Sequence, residues 1–126
     1  STSAEGLVVV SDYQEAGGFR AMNSLLSAMC QFTAVIAAND QMAYGARLAL
    51  HRSGLRVPED VSLIGFDDLP HSAFTLPPLT SVRQSVYEIG ASAAKAMFDL
   101  LNKKNPPSRL VEAELVVRES TRINRR

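Results

Sequence analysis

The sequence predicts an α/β domain built on a doubly wound, mostly parallel sheet. Apolar runs of strand length alternate with stretches whose apolar residues recur every three or four positions. The runs are apolar nearly throughout instead of alternating with polar residues. That is what a strand needs when helices cover both faces of its sheet. At 126 residues, the chain is long enough for one core that removes roughly two-thirds of the unfolded surface from water. Strands separated by single helices then join most readily through right-handed parallel crossovers.

Leu7 to Val10 is a β-branched run bounded by Gly6 and by SDYQEAGG, the pattern of a buried strand with a loop at its C-terminal end. From Glu15 to Met29 the apolar residues Phe19, Met22, Leu26 and Met29 form one helical stripe. A second strand is expected over Thr33 to Ala38. Asn39 is placed to cap a helix whose stripe is Met42, Ala46, Ala49 and Leu50, and Gly54 to end it. Val61 to Phe66 is the third run, which makes the order βαβαβ. Beyond Pro70 the pattern changes: two prolines fall within Leu76 to Leu79, and Thr80 to Arg83 is a brief extended piece. A helix follows over Val86 to Leu101, with the stripe Val86, Ile89, Ala93, Met97, Leu100 and Leu101. KKNPPS breaks the chain before a last apolar run, Glu114 to Arg118, and a polar tail ending INRR. Three helices and four or five strands make a thin sheet, and the last helical stripe lacks an obvious second layer.

Thirteen basic residues balance thirteen acidic ones, so overall charge advertises neither nucleic acid nor membrane as a partner. The single cysteine, Cys30, excludes an intrachain disulfide and a cysteine metal cluster, and leans towards a reducing compartment. Its plain reading is a small residue near a helix end. No apolar run approaches the ~20 residues of a membrane span, and no targeting pattern opens the chain. STSAEGLVVV begins without methionine and enters an apolar run almost at once, the look of a fragment or a processed product.

In an open parallel sheet ligands bind outside the C-terminal ends of the strands. That topology points to Asp12 and Tyr13 after the first run, Asn39 and Asp40 after the second, and Asp67 and Asp68 after the third. Short acceptors, an amide and an aromatic face suit a ligand ringed by hydroxyls, such as a sugar. Taken singly, each has a plainer reading: Asn39 a helix cap, the aspartates a turn start, Tyr13 a packing residue. Three independent caps would not need to meet on one edge. Paired aspartates also occur in Mg²⁺-dependent phosphotransfer sites, but no lysine lies at these junctions and no Gly-rich phosphate loop is present. His51 and His71 lack partners at metal-ligand spacing, and Ser11 and Ser72 lack a base. Neither a catalytic residue nor a metal site is expected.

TAVIAANDQMAYGARLALHRSGLRVPEDVSLIGFDDLP, followed by LPPLTSVRQS and ELVVRES, resembles the C-terminal part of the effector-binding core of the lactose/galactose repressor family. The likeness runs from about Leu7 to Thr121, and the ordered set ANDQMAYGA, IGFDD, PPLTSVRQ and LVVRES is what makes it specific. It implies part of a type I periplasmic-binding-protein fold, holding a sugar or similar small effector between two subdomains, with no enzymatic activity and no cofactor. By position, Tyr13 corresponds to the aromatic that stacks on the effector, Asn39 to the amide of the AND motif, and Asp67 to the acid that grips hydroxyls. Gln84 corresponds to a pocket-wall position. Val86 stands where some members place an aromatic, which leaves the ligand's identity open. Asp40 and Asp68 take structural roles.

The resemblance also implies a cytoplasmic homodimer, joined through Tyr44 and Leu48 on one helix face and the segment around His71 to Phe74. Residues 1–84 would belong to the C-terminal subdomain, 85–108 to a crossover helix on the side of the other subdomain, and 109–126 to a returning strand and tail. Operator DNA would be bound through an N-terminal helix-turn-helix not encoded here, so this polypeptide alone should bind DNA not at all and sugar poorly. No membrane contact is implied. A periplasmic sugar-binding component of a transporter shares the fold and is the alternative; a Mg²⁺-dependent phosphotransfer domain is the more distant one.

Overall fold

A computed structural model of the chain describes residues 6–29 and 31–123. Cys30 lies outside the described residues. The sheet has the order β1-β2-β3-β4, formed by β1 (Ala34–Ile36), β2 (Ser62–Phe66), β3 (Thr80–Gln84) and β4 (Ala113–Val116). β1, β2 and β3 run parallel, in the register Ala34 to Ser62 and Ile64 to Thr80. β4 returns antiparallel beside β3, setting Gln84 against Ala113. The expected parallel α/β architecture is present, and PPLTSVRQ contributes a full parallel strand where only a brief extended piece was expected.

Leu7 to Val10 corrects the expectation of a first strand: it belongs to no ladder, and Val10 is 92% exposed. The run lies across an apolar cavity of about 370 Å³ from β1, with Leu7, Val8 and Val9 on one side and Ala34 to Ala38 on the other. Being apolar is not enough to make a strand, because the ladder needs a neighbouring backbone at hydrogen-bonding distance.

α1 (Glu15–Ser27) and α2 (Asp40–Arg52) pack against each other at glycines. A Cβ on Gly18 would meet the backbone of Met42, and one on Gly45 the backbone of Glu15 and Phe19. The core is small-residue rich for the same reason: Ala43, Ala46 and Ala49 share it with Met22, Leu50, Val61, Leu63 and Leu79. Fully burying side chains such as Leu50 and Leu63 contributes about 2 kcal/mol each. α1 ends at Ser27, two residues before the expected Met29, whose side chain is exposed.

A 3₁₀ turn, Pro70–Phe74, connects β2 towards β3. Its proline at the first position presets the backbone where no donor is needed. Between β3 and β4 lies α3 (Val86–Leu101), which has no buried residue. The apolar stripe read from its sequence faces solvent, with Val86, Met97 and Leu101 all exposed. Among the described residues, no helix is long and apolar enough to cross a membrane.

After β4 the chain turns back under the sheet through Ser120, which is 1% exposed. Its backbone carbonyl accepts from the Leu63 N–H at 2.8 Å. Its hydroxyl accepts from the Thr80 N–H at 2.8 Å and donates to the Leu63 carbonyl at 2.6 Å. The tail thereby bonds both β2 and β3.

Candidate functional site

The C-terminal ends of β1, β2 and β3 share one edge, as parallel strands must, and the loops there carry polar groups at every junction. Tyr13, Asp67 and Asp68 all have left-handed backbone, with φ of 61°, 100° and 51°. Such conformations cost a non-glycine residue about 1–3 kcal/mol and persist only where neighbouring groups hold them. The holding groups are visible at each.

Tyr13 is held from both sides. The Asp12 carboxylate accepts from the Gln14 N–H at 3.1 Å and from the Arg20 guanidinium at 2.7 Å. The Tyr13 carbonyl accepts from the Asn39 side-chain amide at 2.9 Å. Asn39 also accepts from the Met42 N–H at 2.9 Å, so its oxygen caps α2 while its nitrogen reaches the first loop. Asn39 therefore caps its helix, as its plainer reading has it, and its amide reaches a neighbouring loop of the same edge. The ring of Tyr13 is 62% exposed.

Asp67 and Asp68 turn to different partners. The Gln84 amide, at the end of β3, donates to Asp67 at 3.0 Å, and the Asp67 N–H continues the ladder to the Val82 carbonyl. Asp68 points inward, its side chain 5% exposed, between Arg83 at 2.7 Å and Arg118 at 2.7 Å. Arg118 aims its N–H at the Leu79 carbonyl, so it meets Asp68 as a charge and not as an aligned hydrogen bond. Burial pushes the Asp68 carboxyl up, but the two guanidiniums outweigh it and the net shift is downward. Adjacent carboxylates facing apart do not form one metal or phosphotransfer centre.

Asp40 is fully buried, and serves as the bolt of the edge. Its carboxylate accepts from the Leu69 N–H at 2.7 Å and from the hydroxyls of Ser72 and Ser81, each at 2.5 Å. Room for it is made by Gly65, where a Cβ would collide with Asp40. Ser72 shares a further hydrogen bond of 2.6 Å with the Tyr44 phenol. Burial is the main cause that raises the Tyr44 phenol above its ordinary value, with the Ser72 bond acting against it. Ser72 and Ser81 lie 32 and 41 residues from Asp40 along the chain, and no local motif announces them. Arg83 and Arg118 escaped the sequence reading for the same reason.

The structure thus brings Tyr13 to Asn39 and Asp67 to Gln84 in two hydrogen-bonded pairs on neighbouring strand ends. Val86 opens α3, two residues beyond Gln84, and is 72% exposed. Neither the apolar cavity beside β1 nor a second one of about 810 Å³, at the opposite end of the sheet around Gln31, Asp60 and Arg122, is lined by these residues. The edge is an open shelf. On the interface residues expected from sequence, the Tyr44 and His71 rings meet edge to face at 5.3 Å, while Leu48 and Phe74 are 41% and 83% exposed.

Parallel strands thus deliver paired hydrogen-bonding groups and an exposed aromatic to one shelf of an α/β core. The chain belongs to the periplasmic binding protein-like domain family, whose model matches residues 2–121, and within it to the effector-binding cores of lactose/galactose-type repressors. It is 40% identical over 112 residues to the HTH-type transcriptional repressor PurR of Pasteurella multocida, covering 87% of this chain and 34% of that protein. Among solved structures, a complex of the transcriptional regulator CelR with cellobiose superposes with a TM-score of 0.85 at 39% identity, covering 92% of this chain and 36% of that one. A Lac repressor dimer bound to operator and the anti-inducer ONPF superposes with a TM-score of 0.83 at 34% identity, covering 88% and 39%. The chain spans about a third of the length of the curated relatives it matches.

Proposed function

We propose that this chain is the effector-binding and dimerisation part of a bacterial transcriptional repressor that responds to a sugar. The observation that carries it is Asp67. Its strand lifts an acceptor to the shelf on left-handed backbone, Gln84 grips it from the side, and Tyr13 offers an aromatic face from the loop tied to Asn39 beyond the end of β1. A carboxylate beside an exposed ring is what a polyhydroxylated ring with one apolar face requires. The likeness to a regulator solved with cellobiose supports the same ligand class.

In this reading the effector lies between the shelf and a second subdomain, and Gln84 and Val86 stand where β3 leaves for α3. The exposed stripe of α3 faces that subdomain, so residues 1–84, 85–108 and 109–126 divide as subdomain, crossover helix and returning strand. An effector that prefers one closure of the two subdomains shifts the dimer between DNA-competent and DNA-incompetent forms, by no more than its differential affinity. Operator contact belongs to a domain outside these residues, and the protein works in the cytoplasm without a cofactor or an enzymatic step.

A thermal-shift screen of mono- and disaccharides on the full-length protein, with Mg²⁺ as a separate arm, tests the proposal. A sugar present at about ten times its Kd stabilises by about 1.4 kcal/mol. That shift should vanish in Asp67→Ala while the unfolding transition stays cooperative. Stabilisation by Mg²⁺ with a phosphate mimic, and by no sugar, would overturn it.

A further inference from the structure

We infer that Asn39 acts as a positioning residue for Tyr13, presetting the aromatic face of the shelf before any ligand arrives. This rests on the sugar reading for its purpose but not for its geometry. Three observations carry it.

The Asn39 side chain is divided between two jobs. Its oxygen accepts from the Met42 N–H and so is committed to the start of α2. Its nitrogen donates to the Tyr13 carbonyl, 26 residues away in sequence, and a cap has no need of that second bond. An Asp or Ser at this position would cap α2 as well; a serine hydroxyl donates and accepts through one short-stemmed oxygen, whereas the amide carries acceptor and donor on separate atoms, one turned to Met42 and the other to Tyr13.

Tyr13 requires the restraint. Its backbone is left-handed at φ 61°, a conformation that a tyrosine leaves unless it is held. The Asp12 carboxylate holds the N-terminal side by closing a turn onto the Gln14 N–H, and Gly17 leaves that carboxylate its space, since a Cβ there would overlap Asp12. The C-terminal side is the start of α1, where the Gly18 N–H bonds the Gln14 carbonyl at 2.9 Å. Between these anchors the Tyr13 carbonyl is tied to the α2 side of the edge by Asn39.

The ring itself is exposed, so packing does not fix it. An exposed aromatic binds weakly if it must be ordered at the moment of binding, and a backbone already held in place removes that cost. Asn39 thus sets how well Tyr13 is prepared, while the ligand contact belongs to the ring.

The chain contains no tryptophan, so Tyr13→Trp places a single indole on the shelf, at a site open enough to take it. In that background Asn39→Asp and Asn39→Ser keep the cap oxygen and remove the amide donor. Both should raise the iodide or acrylamide quenching constant of the indole by about twofold and lower its anisotropy, because the loop is freed locally. The melting temperature should stay within about 3 °C, since either residue caps the helix. Unchanged quenching in both variants overturns the inference. So does a rise in quenching that comes with a large loss of melting temperature, because the effect would then belong to the whole fold. The saccharide thermal-shift panel on the full-length protein keeps the two claims apart: quenching that rises as expected, with no saccharide stabilising the full-length protein, leaves the clamp standing and removes the sugar reading.

Discussion

Arg118, two residues beyond β4, sits 2.7 Å from the Asp68 carboxylate, which is only 5% exposed and is also met by Arg83 at 2.7 Å. One buried acid in the loop after β2 thereby ties down β3 and the returning chain. Arg118 is itself mostly buried, so removing the acid strands a guanidinium away from water. Asp68→Asn should cost about 3 kcal/mol, the scale for breaking a buried pair from one side, measured by urea unfolding. Asp67→Asn, whose partner is a neutral amide, should cost well under half of that.

The same pair fixes the sign of the acid response. Although burial opposes it, the Asp68 carboxyl is held below its ordinary value of 3.8 in the folded chain. A depressed folded value adds stability above the unfolded value, and that stability is lost as pH falls through the folded one. Asp60 behaves alike at the surface, where the hydrogen bonds from Arg56 pull it to about 2. Stability should therefore hold down to about pH 4 and fall steeply between there and about pH 2. Denaturant midpoints across that range check it, and Asp68→Asn should make the decline shallower.

Asp40 carries three donors at the buried end of α2, and its hydrogen bonds reach the Pro70–Phe74 turn and β3. Ser81→Ala and Ser72→Ala should each cost about 1–2 kcal/mol, because a buried carboxylate loses a donor that water cannot replace. Their double variant should deviate from the sum, since both hydroxyls serve one carboxylate. Asp40→Ala removes the acceptor that all three donors share and should be the most damaging single change of this set. Equal, small effects from all of these would mean that the network contributes little to holding the edge.

Residues whose partners are near in sequence or dictated by topology were legible before any coordinates. Asn39 reads as a cap from its place before the Met42 to Leu50 stripe, and the strand ends must share an edge once the sheet is parallel. The family resemblance implied a ligand contact for Asp67 and a structural role for Asp68; in the structure Asp67 meets Gln84, while Asp68 meets Arg83 and Arg118. Illegible were contacts that join distant segments: Ser81 to Asp40, Arg118 to Asp68 and Ser120 to Leu63. A serine or arginine on its own carries no trace of which buried group it will satisfy. Leu7 to Val10 fails differently, since periodicity reports what a segment is able to bury and is silent on whether a second backbone lies alongside.

Gln84 holds Asp67 as Asn39 holds Tyr13, and in the proposed pocket this makes it a test of geometry. Gln84→Ala removes the donor 3.0 Å from the carboxylate and frees Asp67 to rotate. Gln84→Glu sets a second carboxylate beside it, which disfavours the charged acceptor. Both should weaken the sugar that gives the largest thermal shift, with Glu the worse by about tenfold, or about 1.4 kcal/mol. Calorimetric titration measures the difference. Equal affinities would place Asp67 outside the contact.

The proposed dimer face makes the last prediction. Phe74 and Leu76 are 83% and 87% exposed, and Leu48 is 41% exposed. The Arg47 guanidinium fixes the backbone between these segments through the Leu76 carbonyl at 2.8 Å, while Tyr44 and His71 pack edge to face beside them. Exposed apolar side chains on a surface braced in this way lose little by mutation in a monomer, since hardly any of their area is buried there. In an isologous contact each change is made twice, once on either side of the axis. Phe74→Lys and Leu48→Lys should therefore leave the urea midpoint almost unchanged while shifting sedimentation from dimer to monomer. A wild-type chain that sediments as a monomer up to about 100 μM, a concentration at which even a Kd of about 10 μM would leave most of it dimeric, would remove this face as the site of assembly.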